Sequence, residues 1–250
     1  MEKLEPIRAD LKPLEIGRTV NGEKIPCYQI GSGQIKLLIS GSIHGNEVGT
    51  VKLIHRLINW FPEEKYQNLT VYFIPCLNLD GRKEALKNPD FWGGGGIGRF
   101  NANKVDLNRN FDTPTFRPKA EWTHGKNYQE KTEVYAGPNG NSEPETQALT
   151  KFIKDQDIKV VFSFHNAGAD IVGNPVSPAI EIAKSFSKAA GYRYISPEEW
   201  LEFGQKGSSY EWCTQNNVAI LEIEGSSRWG SDWPRQKEAI KQSFDYLSKV

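Results

Sequence analysis

Cysteine is rare in this 250-residue chain, and its three copies do not suggest cross-links. Cys27, Cys76 and Cys213 are odd in number, far apart and in no Cys-x-x-Cys pattern. Small domains that depend on disulfides carry denser cysteines with paired spacing. The sequence therefore predicts buried free thiols in a reducing compartment.

Neither sign of charge dominates, and no hydrophobic run is long. Lysine plus arginine and aspartate plus glutamate each total 31, so the formal net charge is zero. A neutral chain has no global field that would attract nucleic acid or an anionic membrane. No apolar run reaches the roughly 20 residues of a membrane span, and the charged start, with Pro6 and Pro13, does not resemble a secretory signal. We expect a cytoplasmic protein without nucleic-acid or membrane partners, with a chain whose signal peptide has been removed as the alternative.

Strand-like and helix-like segments alternate along most of the chain. An Asn21-Gly22 turn between 14–20 and 25–30 predicts a hairpin. Alternation of this kind is typical of a three-layer α/β/α fold with a mixed, mostly parallel central sheet. No repeat or linker interrupts it, so we predict a single domain over 1–250. The further predicted strands are 35–40, 69–77, 159–164 and 218–223, and the helices are 48–61, 142–154, 178–190, 208–215 and 235–248.

Residues 82–115 show no clear periodicity, and we predict that this long loop is functional. Residues 117–140 are also irregular, and they are polar. They end at Ser142-Glu-Pro-Glu145, where Ser142 is the predicted N-cap and Glu145 completes a capping box.

Polar side chains that suit a metal follow two of the predicted strands. His44 and Glu47 lie between a strand end and a helix start, and His165 directly follows another strand. Two imidazoles and one carboxylate leave a fourth position open, which is typical of catalytic zinc. The competing interpretation of His165 is a strand-end histidine bonded to backbone.

The order of several motifs resembles one known family. His44-x-x-Glu47 is followed by Asn-x-Asp-Gly at 78–81, Asp-x-Asn-Arg-Asn at 106–110, Ser-Glu-Pro-Glu-Thr at 142–146 and a strand-end His165. Leu-Glu-Ile at 221–223 and Arg-Trp-Gly at 228–230 complete the series. Over roughly 14–234 the chain resembles the zinc carboxypeptidases of peptidase family M14. Its short length is similar to that of small bacterial members, including murein peptide amidases.

The resemblance implies one zinc ion per chain, held by His44, Glu47 and His165. It also implies that Asp106 orients the first histidine, although Asp106 could instead cap its own turn. The family's general base matches Glu222. Glu224 is the alternative, because residues two apart on a strand face the same side, but the spacing to the Arg-Trp-Gly motif favours Glu222.

The same resemblance assigns residues that would hold and polarise a substrate. Arg99 would stabilise the developing oxyanion, against the alternative of a solvated loop arginine. Asn108 and Arg109 would bind the free C-terminal carboxylate of a small peptide, for which a guanidinium fork is well suited.

One segment departs from the pattern of the digestive members. Aligning Gly207-Ser-Ser-Tyr-Glu-Trp212 with the family places Phe203 near a mobile tyrosine, so the hydroxyl is missing. Tyr210 then falls near the residue that selects the substrate side chain, with Glu211 beside it. An acid there would favour basic or diaminopimelate-type C-terminal residues.

We therefore predict a zinc-dependent carboxypeptidase that removes a C-terminal residue from small peptides. The first alternative is an N-deacylase of the aspartoacylase type, which also uses His-x-x-Glu and a later histidine. The second is an inactive binding module with a retained pocket. The sequence does not indicate the oligomeric state.

Overall fold

The computed structural model describes residues 3–88, 96–125 and 128–249. An eight-stranded sheet forms its centre, and a two-stranded hairpin stands apart from it. The strands of the large sheet are β1 (Leu14–Arg18), β2 (Lys24–Ile30), β3 (Ile35–Gly41), β4 (Leu69–Ile74), β7 (Val160–Asn166), β8 (Asp170–Gly173), β9 (Arg193–Tyr194) and β10 (Ala219–Gly225). The hairpin strands are β5 (Lys119–His124) and β6 (Glu130–Tyr135).

The strand order in the large sheet is β1-β2-β4-β3-β7-β10-β8-β9. β3 pairs in parallel with both β4 and β7, β10 pairs in parallel with β7, and β9 with β8. The predicted β1–β2 hairpin is antiparallel, as are the pairings β2–β4 and β8–β10. The central parallel strands are almost wholly buried, because helices cover both of their faces. Their carboxyl ends therefore meet at one edge, where loops can carry a site.

Helices pack on both faces of the sheet and enclose two apolar cores. α1, α4 and α7 contribute Leu53, Phe186 and Phe244 to one core. α3 and α6 contribute Phe152 and Trp212 to the other. This arrangement confirms the predicted α/β fold with a mixed sheet. The helices are α1 (Val48–Trp60), α2 (Leu79–Lys87), α3 (Pro144–Asp155), α4 (Ala179–Ala190), α5 (Pro197–Glu202), α6 (Ser209–Gln215) and α7 (Trp233–Leu247).

The segment predicted to be irregular contains regular structure. Asn78 caps α2 by accepting a hydrogen bond from the Gly81 amide at 2.8 Å, so the Asn-x-Asp-Gly motif at 78–81 is the start of a helix. The β5–β6 hairpin follows in the same segment. The sequence of β6 does not alternate between apolar and polar residues, because this strand is almost wholly exposed and polar. The helix α5 was also not predicted.

The start of α3 differs from the predicted capping box. The N-cap is Glu143, and no side chain caps the helix there. The Glu145 carboxylate instead accepts hydrogen bonds from the Val20 amide at 3.1 Å and from Asn101 Nδ2 at 3.2 Å. The Glu145 carboxylate, which the local pattern assigns to a capping box, therefore binds residues that are distant in sequence.

Within the described residues, no helix combines the length and the apolar character needed to cross a membrane.

Candidate metal centre and active site

Two histidines and a glutamate meet at the carboxyl end of the central strands. His44 lies in the turn after β3, Glu47 directly precedes α1, and His165 is near the end of β7. Because β3 and β7 are parallel neighbours, both imidazoles arrive at the same edge. His44 Nδ1 lies 2.8 Å from Glu47 Oε1, and His165 Nδ1 lies 3.3 Å from Glu47 Oε2. The three ligand atoms lie within 4.8 Å of one another.

One oxygen of this triad shows that a cation fits the site. Glu47 Oε2 is buried and makes no hydrogen bond among the described residues, and its neighbouring nitrogen, His165 Nδ1, lies 3.3 Å away. A buried carboxylate oxygen without a donor is unfavourable unless a cation lies beside it. Two imidazole nitrogens and a carboxylate oxygen are also the donors of many catalytic zinc sites. His44, Glu47 and His165 therefore fit the predicted zinc ion.

The charges around the triad also favour a cation. Burial alone would raise the pKa of Glu47, but the imidazoles of His44 and His165 hold this pKa below its ordinary value. Burial would lower the pKa of His165, but the carboxylates of Glu47 and Glu222 raise it well above its ordinary value. Zinc binds the neutral imidazole, so metal binding releases the proton that these carboxylates otherwise retain on His165.

Asp106 holds the first histidine from behind. Its Oδ1 lies 3.3 Å from His44 Nε2, and its Oδ2 accepts hydrogen bonds from Arg99 Nε at 2.9 Å and Nη2 at 2.8 Å. Burial would raise the pKa of Asp106, but the charges of Arg99 and His44 hold this pKa well below its ordinary value. An ionised Asp106 accepts the proton of His44 Nε2 and leaves Nδ1 directed at Glu47. The guanidinium of Arg99 also lies over the ring of Trp122, 4.2 Å from its centroid.

Arg109 and Asn108 form a polar anchor in the same cleft. The Arg109 side chain donates from Nε to the Glu121 carbonyl at 2.8 Å, from Nη1 to the Asn108 carbonyl at 2.7 Å, and from Nη2 to Gln205 Oε1. Burial lowers the pKa of Arg109 to about 10, so the group stays cationic at neutral pH. Asn108 Oδ1 accepts from the Ser209 amide at 2.9 Å, which leaves Nδ2 as a donor for a ligand.

A cleft of about 410 Å³ joins these groups. The triad, Arg99, Asn108 and Arg109 all contribute to its wall. Further wall residues are Trp122, His124, Tyr128, Asp170, Arg193, Trp200, Gln205, Glu222, Glu224 and Arg228. The cleft is therefore strongly polar and carries both signs of charge, as a binding site for a zwitterionic or amide-containing ligand would.

Comparison with known proteins identifies the family. The profile of the zinc carboxypeptidases, peptidase family M14, matches residues 2–245. The chain belongs to this family.

Several relatives share this fold or part of this sequence. Murein peptide amidase A from Vibrio campbellii (strain ATCC BAA-1116) is 27% identical over 225 residues, covering 86% of this chain and 79% of the relative. The catalytic chain of carboxypeptidase N from Rattus norvegicus is 30% identical over 162 residues, covering 56% of this chain. The chain spans only 33% of that relative's length. The crystal structure of murein-tripeptide amidase MpaA from Escherichia coli O157 aligns with a TM-score of 0.74 at 22% identity, covering 98% of this chain and 93% of that one.

Two glutamates, Glu222 and Glu224, compete for the role of base, and their surroundings differ. Glu222 is 3% exposed, and its Oε1 and Oε2 contact Ser209 Oγ at 2.6 Å and His165 Nε2 at 2.7 Å. Glu224 pairs with His165 across the β10–β7 ladder and is only partly buried at the cleft wall. Burial raises the pKa of Glu224 to about 8. Glu224 therefore has the more exposed carboxylate at the cleft. The motif spacing instead favours Glu222 as the base.

Three residues predicted to bind substrate, Phe203 near the tyrosine position and Tyr210 and Glu211 near the side-chain pocket, lie outside the cleft wall. Glu211 turns away from the cleft, because its Oε2 accepts hydrogen bonds from Thr113 Oγ1 at 3.1 Å, Thr115 Oγ1 at 2.5 Å and the Gly207 amide at 2.7 Å. Tyr210 is 3% exposed and packs in the second core. Phe203 stacks on Tyr128 at 4.6 Å between ring centroids and lies behind it. Glu211 therefore anchors the loop before α6. It does not supply the acid that we expected in the substrate pocket.

Other segments supply the wall residues that the sequence did not indicate. Tyr128 comes from the β5–β6 hairpin loop and donates its hydroxyl to Asp170 at 2.8 Å. Asp170 begins β8 and faces Glu224 across the antiparallel β8–β10 pair. Burial raises the pKa of Asp170 to about 6. No motif indicated these residues, because only the pairing of β8 with β10 brings them to the site.

Proposed function

We propose that this protein is a zinc-dependent metallocarboxypeptidase that hydrolyses the amide bond before the C-terminal residue of a small peptide. One observation carries the proposal: the triad of His44, Glu47 and His165 opens into the cleft whose wall also holds the buried cation of Arg109. A buried cation and a metal site in one cleft suit a substrate with a carboxylate close to its reactive amide. We further propose that 1–250 acts as a single catalytic domain.

The substrate is held by its terminal carboxylate. Arg109 is 2% exposed and cationic, and Asn108 presents an amide donor beside it. A carboxylate that enters this position takes charge-assisted hydrogen bonds in a site from which most water is excluded. The scissile amide then lies between this anchor and the triad, next to Arg99. Arg99 is oriented by Asp106 and donates to the carbonyl oxygen as negative charge develops on it.

A zinc ion in the triad supplies Lewis acidity, which polarises a carbonyl oxygen and lowers the pKa of water. We propose that Glu224 takes the proton of the attacking water and passes it to the leaving amine. Both glutamates are on the cleft wall, but Glu224 is partly exposed there and in register with His165, whereas Glu222 is 3% exposed. Glu222, which the spacing of the Arg-Trp-Gly motif favours, has both carboxylate oxygens in contacts with other side chains.

For the substrate class, we propose small peptides that end in a residue with both an amine and a carboxylate, such as diaminopimelate. The relatives of similar length carry the names murein peptide amidase A and murein-tripeptide amidase. Arg109 provides for the carboxylate, while the Asp170 carboxylate on the cleft wall provides negative charge for an amine. We also propose a cytoplasmic location, which the three buried free cysteines support.

Zinc content and peptide hydrolysis test the proposal together. Purified protein should bind one zinc per chain, lose hydrolysis with a chelator and regain it with zinc. His165→Ala should lose the metal, while His55→Ala, a histidine of α1 outside the cleft wall, should keep it. Competing a γ-D-glutamyl-diaminopimelate peptide against peptides that end in lysine or phenylalanine tests the substrate class. A preference for phenylalanine would overturn the substrate class, and a metal-free active protein would overturn the mechanism.

A further inference from the structure

A short series of contacting side chains joins the metal site to the carboxylate anchor. His165 Nε2 lies 2.7 Å from Glu222 Oε2, and Glu222 Oε1 lies 2.6 Å from Ser209 Oγ. Ser209 Oγ in turn lies 2.7 Å from Asn108 Oδ1. All four side chains are nearly inaccessible to solvent, at 2% exposure for His165, 3% for Glu222, 5% for Ser209 and 6% for Asn108. Contacts of this length in a buried setting fix side chains in one orientation.

Glu222 contacts the ring nitrogen of His165 that faces away from the triad. Nδ1 is the atom 3.3 Å from Glu47, and Nε2 is the atom at Glu222. The two nitrogens of an imidazole point in nearly opposite directions, so a carboxylate bonded to Nε2 stands behind the ring. From there Glu222 accepts the Nε2 proton and keeps Nδ1 unprotonated for a metal. Asp106 has the same relation to His44 at 3.3 Å.

At the other end of this series of contacts, Ser209 fixes the Asn108 amide. The Ser209 backbone amide donates to Asn108 Oδ1 at 2.9 Å, while the Ser209 hydroxyl, which has one proton to donate, lies between Asn108 Oδ1 at 2.7 Å and Glu222 Oε1 at 2.6 Å. A backbone amide is only a donor, so the atom that it meets must be the carbonyl oxygen of the asparagine. Nδ2 is then the atom left to donate to a ligand. Because Glu222 holds the Ser209 hydroxyl, it acts indirectly on this end as well.

We infer that Glu222 is a positioning residue that fixes His165 for the metal and, through Ser209, fixes Asn108 for the substrate carboxylate. The inference rests on the proposed function and assigns Glu222 a role that the general base does not have. One more group touches the same nitrogen, since Ser163 Oγ lies 3.0 Å from His165 Nε2. A neutral hydroxyl orients an imidazole less strongly than a carboxylate does, so Glu222 is the principal partner.

Zinc affinity, measured by competition with a chromophoric chelator, separates positioning from proton transfer. Glu222→Ala should lower the affinity about 10- to 100-fold, the usual effect of losing such a partner. Glu222→Gln keeps an acceptor for Nε2 and should fall between this variant and the wild type. Ser163→Ala should lose less affinity than Glu222→Ala. Circular dichroism and thermal melts establish whether each variant is folded. If Glu222→Ala does not fold, the comparison of Glu222→Gln with the wild type is the test.

Substrate kinetics test the second end of this series of contacts. Ser209→Ala should raise KM for a peptide with a free carboxylate while zinc affinity stays at the wild-type value. Glu224→Gln is the matched control on the same strand face, and it should keep zinc affinity while kcat falls.

Two results would overturn the inference. Wild-type zinc affinity in Glu222→Gln together with a collapse of kcat would make Glu222 the base, and a larger loss in Ser163→Ala than in Glu222→Ala would make the serine the positioning group. A wild-type protein that binds no zinc would instead refute the proposed function.

Discussion

Replacing Arg109 with lysine tests how the substrate is held. The guanidinium is 2% exposed and already donates to the carbonyl oxygens of Glu121 and Asn108 at 2.8 and 2.7 Å. These contacts fix its plane, so its remaining protons have a defined direction. Lysine keeps the charge but has a single nitrogen, which cannot reproduce this set of donors.

The expected magnitude follows from the hydrogen bonds lost. A hydrogen bond to a charged group contributes about 1.5–3 kcal/mol, so losing one of the two bonds to the carboxylate lowers kcat/KM roughly 10- to 150-fold. Amidating the substrate's C-terminus leaves the buried cation without its anion. That change costs about 2–5 kcal/mol, or roughly 30- to 5,000-fold in kcat/KM.

The assay is a cycle of two enzymes and two peptides. Wild type and Arg109→Lys are each given a peptide with a free C-terminus and its amidated counterpart, and kcat/KM is measured for all four pairs. With the amidated peptide, the two enzymes should differ by less than about threefold, because the interaction is already absent. Arg117→Lys, in an exposed loop position, is the matched control. Equal cleavage of free and amidated peptides by the wild type would refute the carboxylate anchor.

Three further predictions concern the metal, the base and the loop before α6. His44→Ala should abolish both stoichiometric zinc and hydrolysis, because it removes one of three protein ligands. Glu224→Gln should lower kcat about 100- to 10,000-fold at unchanged zinc content, the usual effect of removing a general base. Glu211→Ala should lower the free energy of unfolding by about 1–3 kcal/mol, because buried hydrogen-bond partners lose their acceptor, and should leave the preference among C-terminal residues unchanged.

Each of these predictions has an outcome that would contradict it. Stoichiometric zinc in His44→Ala would show that the ligand assignment is wrong. A milder loss of kcat in Glu224→Gln than in Glu222→Gln would return the base to Glu222. A change of preferred C-terminal residue in Glu211→Ala would show that its carboxylate faces the cleft. Glu202→Ala, at an exposed position in α5, is the control for the measurement of stability.

The triad was predictable because its geometry follows from local signals. Two apolar strands that each end at a histidine, with Glu47 three residues after the first, lead to one point if the strands are parallel neighbours. The family motif from Asp106 to Asn110 is likewise a continuous segment that can be recognised in the sequence. Such features depend on the chain direction and on the carboxyl edge of a parallel sheet, both of which a sequence reveals.

The cleft wall was less predictable because tertiary pairing decides it. Glu222 and Glu224 face the same side of β10, and periodicity cannot distinguish which one stands behind His165. Glu211 lies one residue from the pocket position by alignment, yet the threonines at 113 and 115 determine its direction. Tyr128 and Asp170 enter the site only through the hairpin and the antiparallel β8. No local pattern in the sequence records those contacts.

The most direct test of the account is the position of the metal itself. A crystal of the zinc-loaded protein, with diffraction data collected on both sides of the zinc absorption edge, should show one anomalous peak per chain. This peak should lie about 2.0–2.2 Å from Nδ1 of both His44 and His165 and from a carboxylate oxygen of Glu47. A peak bonded to Nε2 of either histidine, or located away from the triad, would contradict this ligand assignment.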